Sequence, residues 1–273
     1  MPTTRPLPGE VTAVVPARNA EALLPACLDS LRESGVGRIV VVDGRSSDGS
    51  REVAERYGAT VVSDDGRGLP WARALGVATA TTPLVLLVDA DVVFPEGALD
   101  QLLVEYDAGG YAALQAGLES VSGPGYWGRA LAYHHRTGRS RHWFGLVATL
   151  CDREELSRLG FDDAFRSGED IELRWRMRDA GLQIGVSRSV MVEHRFAGDD
   201  FAFAMDQFSM DGFGLGRMMR KHRWRGLRLA ALPAAAAARG VALSIVHRQP
   251  AWIPYFTVFA VANYTGMVRG LRP

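Results

Sequence analysis

The stretch LVLLVDADVVF, Leu84–Phe94, decides how the rest of the chain is read. Five apolar residues in a row describe a strand buried on both faces. The run stops on Asp89-Ala90-Asp91, two carboxylates one residue apart. A buried carboxylate without a partner costs several kcal/mol, so such groups are paired or sit on a metal. The strand is expected to deliver Asp89 and Asp91 to a cation at its carboxyl end.

Working outward, the same alternation recurs. Val11–Val15 reads as a strand, followed by a turn that Asn19 can cap. Pro25 suits the first turn of a helix ending near Gly35. Arg38–Asp43 is a second strand, Ser46–Tyr57 a helix stopped by Gly58, Ala59–Ser63 a third strand and Pro70–Ala80 a helix. Apolar strands separated by helices predict an α/β fold with a mainly parallel sheet covered on both faces. Ligands of such sheets bind beyond the carboxyl ends of the strands. That edge gathers Pro16, Ala17, Arg18 and Asn19 from strand one, Asp43 from strand two, and Asp89, Ala90 and Asp91 from strand four.

Further on, Pro95–Tyr106 is expected to be a helix, Tyr111–Ser120 a strand, and 123–141 loop or short helix. Leu146–Leu150 follows as a strand, Asp152–Leu159 as a short helix, and Gly168–Asp179 as a helix stopped by Gly181. His194 closes what reads as a short strand.

The 273 residues carry 31 basic and 31 acidic side chains, so total charge excludes no partner. Its distribution is uneven. From Phe201 on there are ten basic residues against two acids, Asp206 and Asp211. An acidic body of residues 1–200 and a basic, helical extension of 201–273 are the expected domains. No nucleic-acid reading motif accompanies the basic tail, so nucleic acid is not expected. Two apolar stretches, Leu227–Val246 and Ala251–Val268, are interrupted by proline and polar residues, which favours an interfacial helix over a spanning one. Packing on the catalytic body or in a homodimer is the other outlet. The start MPTTRPLPGE lacks an apolar core, so no signal peptide is expected, and the protein is placed in the cytoplasm, at the inner face of the cell membrane if the tail binds lipid. Cys27 and Cys151 read as reduced core thiols.

Asp89 and Asp91 suit Mg²⁺ or Mn²⁺, hard cations that take carboxylate oxygens together with substrate phosphates. Asp43 precedes the turn SSDGS and is free to accept hydrogen bonds from a ligand, whereas Ser46 or Ser47 caps the following helix with Asp48 near its positive end. Ser167-Gly168-Glu169-Asp170 reads first as a capping box; the other reading is a place for a general base, since a helix N-terminus favours the ionised carboxylate. Glu169 could orient a substrate hydroxyl. His194 is either a structural hydrogen-bonder or a third metal ligand. His134 and His135 are expected to carry no function.

Five segments in this order resemble the family 2 glycosyltransferases, the inverting group with the GT-A fold. VVPARNAEALLPACLDSL resembles the opening strand, turn and helix, and VVDGRSSDGS the D-D-G element. LPWARALGVATATTPLVLLVDAD resembles the helix that leads into the D-x-D motif. FRSGEDIELRWRMRDAG resembles the E-D motif, and VEH with QFSMDGFGLGR the late histidine and its helix.

The resemblance implies that Pro16, Ala17, Arg18, Asn19 and Asp43 cradle the nucleotide, with Gly68 and Arg73 near the donor. It implies that Asp89 and Asp91, with His194, hold the metal on the diphosphate, and that Asp170 takes the acceptor's proton. The expected partners are a nucleotide-diphospho-sugar and a lipid or small-molecule acceptor. Gly44, Arg45 and Ala74 depart from the family pattern, which bears on donor identity. Two other readings share the sheet and metal logic. One is a haloacid-dehalogenase-type phosphatase, with Gly198-Asp199-Asp200 imitating its late acids. The other is a nucleotidyltransferase, although the loop PARNAEALLP has no glycine.

Overall fold

The computed structural model describes residues 6–138, 144–165, 167–196 and 198–272. Residues 139–143, the end of the segment read as loop or short helix, and Arg166, inside the motif around Asp170, lie outside them. The chain forms two compact units. The first is residues 1–119, 142–163 and 173–195; the second is 120–141, 164–172 and 196–273.

In the first unit, β1 (Val11–Ala17), β2 (Arg38–Asp43), β3 (Thr60–Ser63) and β4 (Leu84–Val88) are parallel neighbours. Together with β5 (Val92–Val93), β6 (Ala113–Val121), β7 (Ala148–Asp152) and β8 (Ile184–Arg195) they make an eight-stranded sheet ordered β3-β2-β1-β4-β7-β6-β8-β5. The strands beyond β4 reverse direction: β7 is antiparallel to both β4 and β6, and β5 to β8. The fold is thus α/β, mainly parallel on the side that matters for the site.

Alternation along the strands fills both faces. Val11, Ala13, Val15, Leu84, Leu86 and Val88 face one way, under α1 (Leu24–Glu33), α2 (Ser50–Arg56) and α4 (Ala98–Gly109). Val14, Val40, Val42, Val85 and Leu87 face the other way, against α3 (Leu69–Thr79), α6 (Arg153–Leu159) and Leu173 and Met177 of α7 (Glu169–Asp179). Each fully buried Val or Leu contributes about 1.5–3 kcal/mol. Pro16 is tolerated in this interior strand because the β1–β4 ladder has ended at Val14↔Leu87, leaving no partner that its missing N–H would deny. Cys27 and Cys151 are free and buried, as expected.

Several local expectations are corrected. The segment from 123 contains α5 (Tyr126–Thr137), a twelve-residue helix. Its glycines fit around Asp199, which accepts a hydrogen bond from the Gly125 N–H at 2.6 Å. Asp200 caps the N-terminus of α8 (Phe201–Gly226) by accepting from the Phe203 N–H. The acids of Gly198-Asp199-Asp200 therefore have structural work of their own. His194 lies near the end of a strand twelve residues long.

The second unit is built on α8, α9 (Leu232–Val246) and α10 (Ile253–Leu271), with α5 packed on them. Gly212 and Gly216 of α8 and Gly266 and Gly270 of α10 let the two helices meet backbone to backbone. A methyl group on Gly212 would land on the carbonyl of Asn263, and one on Gly266 on the carbonyl of Ser209. Glycine costs a helix about 1 kcal/mol per residue relative to alanine, and the close contact offsets that cost. Gly212→Val should part the helices and lower the melting temperature by on the order of 10 °C in a thermal melt.

His134 is held in the aromatic cluster of this unit, its Nδ1 3.1 Å from the Tyr255 hydroxyl. Burial, helped by Arg239, lowers its pKa to about 4. The unfolded chain protonates this histidine below its ordinary pKa of about 6.5 and the folded chain does not. Its contribution to stability is therefore present above that value and lost as the pH falls toward 4. Between about pH 8 and pH 5 the stability advantage of the native chain over His134→Gln should shrink by about 2 kcal/mol in urea titrations.

Candidate active site

Three loops meet at the carboxyl edge of the parallel strands. The turn after β1 and the turn after β2 are laced together. Asn19, in the left-handed conformation (φ 52°), accepts from the Ser47 N–H at 2.9 Å and donates its own N–H to Ser46 Oγ at 3.0 Å. Glu21 accepts from the Gly49 N–H, and the Ala20 N–H donates to Ser50 Oγ. This lacing is why α2 begins at Ser50 and not at Ser46: the serines and Asp48 serve the loop before any helix starts, and the helix N-cap is Gly49 without a side-chain bond. For the same reason Asn19 fastens the second loop and does not cap α1.

Asp43 is 7% exposed and one of its oxygens accepts from the Ser46 N–H at 3.2 Å. It is therefore partly engaged, where the sequence suggested a free acceptor. Gly44 N–H donates to the Ala17 carbonyl. A side chain at Gly44 would crowd Arg18, whose Cβ would lie 3.2 Å away, so the glycine that departs from the family pattern makes room for Arg18. Gly68 (φ 102°) starts α3 in a conformation that only glycine adopts easily, with open space where a side chain would be. One turn on, Arg73 is 3% exposed and donates to Asp89 Oδ1 at 2.9 Å.

Asp91 belongs to the turn between β4 and β5, and its carbonyl accepts the Arg195 N–H at 2.8 Å. The β5–β8 register sets Val92 opposite His194. That pairing carries the His194 ring to Asp91, Nε2 to Oδ1 3.3 Å. The contact has ion-pair distance without hydrogen-bond alignment, and Asp91 Oδ1 is buried with no hydrogen-bond partner among the described residues. One ligand atom from each of Asp89, Asp91 and His194 lies within 4.8 Å of the others.

The electrostatics agree with this arrangement. Burial raises the pKa of Asp89, Arg73 opposes the rise, and the charge of Asp91 adds to it. Burial works against a charged His194, but Asp91 and Asp89 outweigh it and raise its pKa. Two carboxylates and an imidazole, crowded and only partly compensated by Arg73, make a place for a divalent cation. The two carboxylate oxygens suit Mn²⁺ or Mg²⁺, and the imidazole nitrogen favours Mn²⁺ of the two.

In the second unit, Gly168 (φ 80°) lies against Gly214 of α8. A Cβ on Gly168 would sit 3.0 Å from the Gly214 Cα, and one on Gly214 2.8 Å from the Ser167 carbonyl oxygen. This glycine pair seats the acidic first turn of α7, Glu169-Asp170-Ile171-Glu172, on α8. Glu172 is fully buried and accepts from Lys221 Nζ at 2.6 Å, and Glu169 is 6% exposed. Asp170 is half-buried.

Asp211 of α8 feels the charge of Asp170. Its pKa is pushed up to about 7, by loss of water first and by Asp170 second. Asp211 as a whole keeps much of its surface open, at odds with full loss of water, so Coulombic repulsion from Asp170 is the firmer cause. Sequence reasoning quoted the segment around Asp211 without singling it out. An acid beside glycines in MDGFGLGR was the available signal.

The description "Glycosyl transferase family 2" matches residues 12–165, more than half of the chain. An uncharacterized glycosyltransferase of Mycobacterium tuberculosis is 36% identical over 186 residues, covering 64% of this chain and 81% of that protein. The succinoglycan biosynthesis protein ExoA of Rhizobium meliloti is 27% identical over 261 residues, covering 86% of this chain and 78% of that one. Among solved structures, the mannosyltransferase PcManGT from Pyrobaculum calidifontis, in complex with GDP-Man and Mn²⁺, superposes with a TM-score of 0.66 at 20% identity. That match covers 95% of this chain and 87% of the other.

Proposed function

This chain belongs to glycosyl transferase family 2, and from that premise we propose that it moves one sugar from a nucleotide-diphospho-sugar to an acceptor hydroxyl, with inversion, aided by Mg²⁺ or Mn²⁺. The observation that carries the reading is Asp91 Oδ1, buried without a hydrogen-bond partner among the described residues, beside Asp89 and His194 at the carboxyl edge of the parallel strands. A buried carboxylate oxygen that accepts no hydrogen bond and stands beside a second carboxylate is costly unless a cation completes it.

In this reading the laced loops around Asn19 and Asp43 receive the nucleoside, with Pro16, Ala17, Arg18 and Ala90 lining it and Gly68 leaving room near the donor. Asp89, Asp91 and His194 hold the metal, which offsets the charge that builds on the departing diphosphate. Arg73 orients Asp89 and favours its ionised form against the effect of burial. Glu169 orients the acceptor hydroxyl. Asp170 takes its proton as the oxygen attacks the anomeric carbon, and the bond to the diphosphate breaks on the opposite side. Single displacement of this kind inverts the centre, through an oxocarbenium-like state such as inverting glycosidases use. The acceptor is a lipid or a small molecule, and the reaction takes place in the cytoplasm.

A thermal-shift panel of UDP-, GDP- and dTDP-sugars, each with and without Mn²⁺, tests the donor half. A ligand that binds only the folded chain raises its melting temperature. A metal-dependent rise with one nucleotide is the expected result. No rise with any of them would move the weight to phosphate-ester hydrolysis, the reading in which phosphate release is the activity to measure.

A further inference from the structure

We propose that the outer face of the second unit's helical tail lies on the headgroup layer of an anionic lipid bilayer. The face is apolar, ordered and exposed. On α10, Val261, Tyr264, Val268 and Leu271 recur at helical spacing on one side, 37–61% exposed, while the opposite side is spent on the glycine contact with α8. The Tyr264 hydroxyl donates to the Ala230 carbonyl at 2.9 Å, which joins this stripe to the tight turn 227–231. At that turn stand Leu227, 58% exposed, and Trp224, 83% exposed. Trp224 follows a sharp break in α8 at Arg223, a non-glycine residue at φ 48°, ψ −125°. A residue in that conformation is strained, and here the strain turns an indole out into water among Arg223, Arg225 and Arg228.

Charge decides between the occupants such a face could have. After Asp211 the sequence contains ten basic side chains and no Asp or Glu. A second copy would bring two such faces together and set like charges against each other. An anionic surface complements them, with Trp and Tyr at headgroup depth and arginine stems reaching the phosphates.

The helices lie along the surface and do not cross it. By length and composition the run 201–246 could span, at a mean hydropathy of 1.7 in its best window. The break at Arg223 interrupts it, however. The fifteen residues of α9 reach only about 22 Å, short of a hydrocarbon core of about 30 Å.

The full chain should sediment with vesicles of phosphatidylcholine and phosphatidylglycerol in equal parts and stay in solution with phosphatidylcholine alone. Salt should weaken the binding. Arg223→Gln with Arg225→Gln should reduce vesicle affinity by about tenfold or more, and Trp224→Ser with Val268→Ser by about tenfold. Melting temperatures should stay within a few degrees of the native chain. The proposal is overturned if anionic vesicles fail to bind the chain, or if both double variants bind as tightly as the native chain. It is equally overturned if the chain ignores vesicles and elutes as a dimer that Val268→Arg dissolves.

Discussion

Asp170→Asn is expected to lower kcat by about 10²–10⁴-fold, the range that removal of a positioned general base spans, while the donor-induced rise in melting temperature stays as in the native chain. The substitution keeps the size and one oxygen of the side chain, so the first turn of α7 should hold its place. That turn is fastened by other groups: Gly168 against Gly214, and Glu172 on Lys221. What asparagine cannot do is accept the acceptor's proton. Glu169→Gln should behave differently. A group that orients a hydroxyl is felt in ground state and transition state alike, so KM for acceptor rises, by about tenfold, with a smaller loss of kcat. If Asp170→Asn lost both turnover and the donor-linked shift, its role would be to hold the fold and not to take a proton.

How far the sequence discloses this site depends on which contacts are local. β2 was legible residue for residue, because Arg38–Asp43 is an uninterrupted apolar run ending in an acid. β4 was nearly so, and with it the placement of Asp89 and Asp91. Errors begin where a residue answers to a distant partner. Ser46, Ser47 and Asp48 carry helix-capping chemistry but spend it on the loop around Asn19, so α2 starts four residues later. The glycines at 125 and 128 argue against a long helix, yet they exist to pass Asp199, and the segment was read as loop or short helix where α5 runs for twelve residues. The strand β8 alternates apolar residues with Ser and Arg, and only its last residues were recognised. β5 is two residues long and has no local signature. It is the β5–β8 register that brings His194 to Asp91. From sequence that meeting could be supported only by likeness to a family, because it is a pairing between segments one hundred residues apart.

Asp91→Asn should lower metal-supported turnover by about 10³-fold, the equivalent of several kcal/mol of transition-state charge stabilisation, and should abolish the rise in melting temperature that Mn²⁺ gives. The decisive measurement is the melting temperature without metal. A purely structural Asp91–His194 ion pair would make the variant less stable than the native chain, because asparagine leaves a buried histidine without its counter-charge. A metal site predicts the opposite sign. Asp91 Oδ1 is buried without a hydrogen-bond partner among the described residues, and its charge pushes against Asp89. Relief of that repulsion should leave the metal-free variant as stable as the native chain or more so. Acid provides a second check. The raised pKa of His194 means that protons compete with metal for its ring, so Mn²⁺ affinity should fall as pH drops through that value. His194→Gln should flatten this dependence while weakening binding, because the ring for which protons and metal compete is gone.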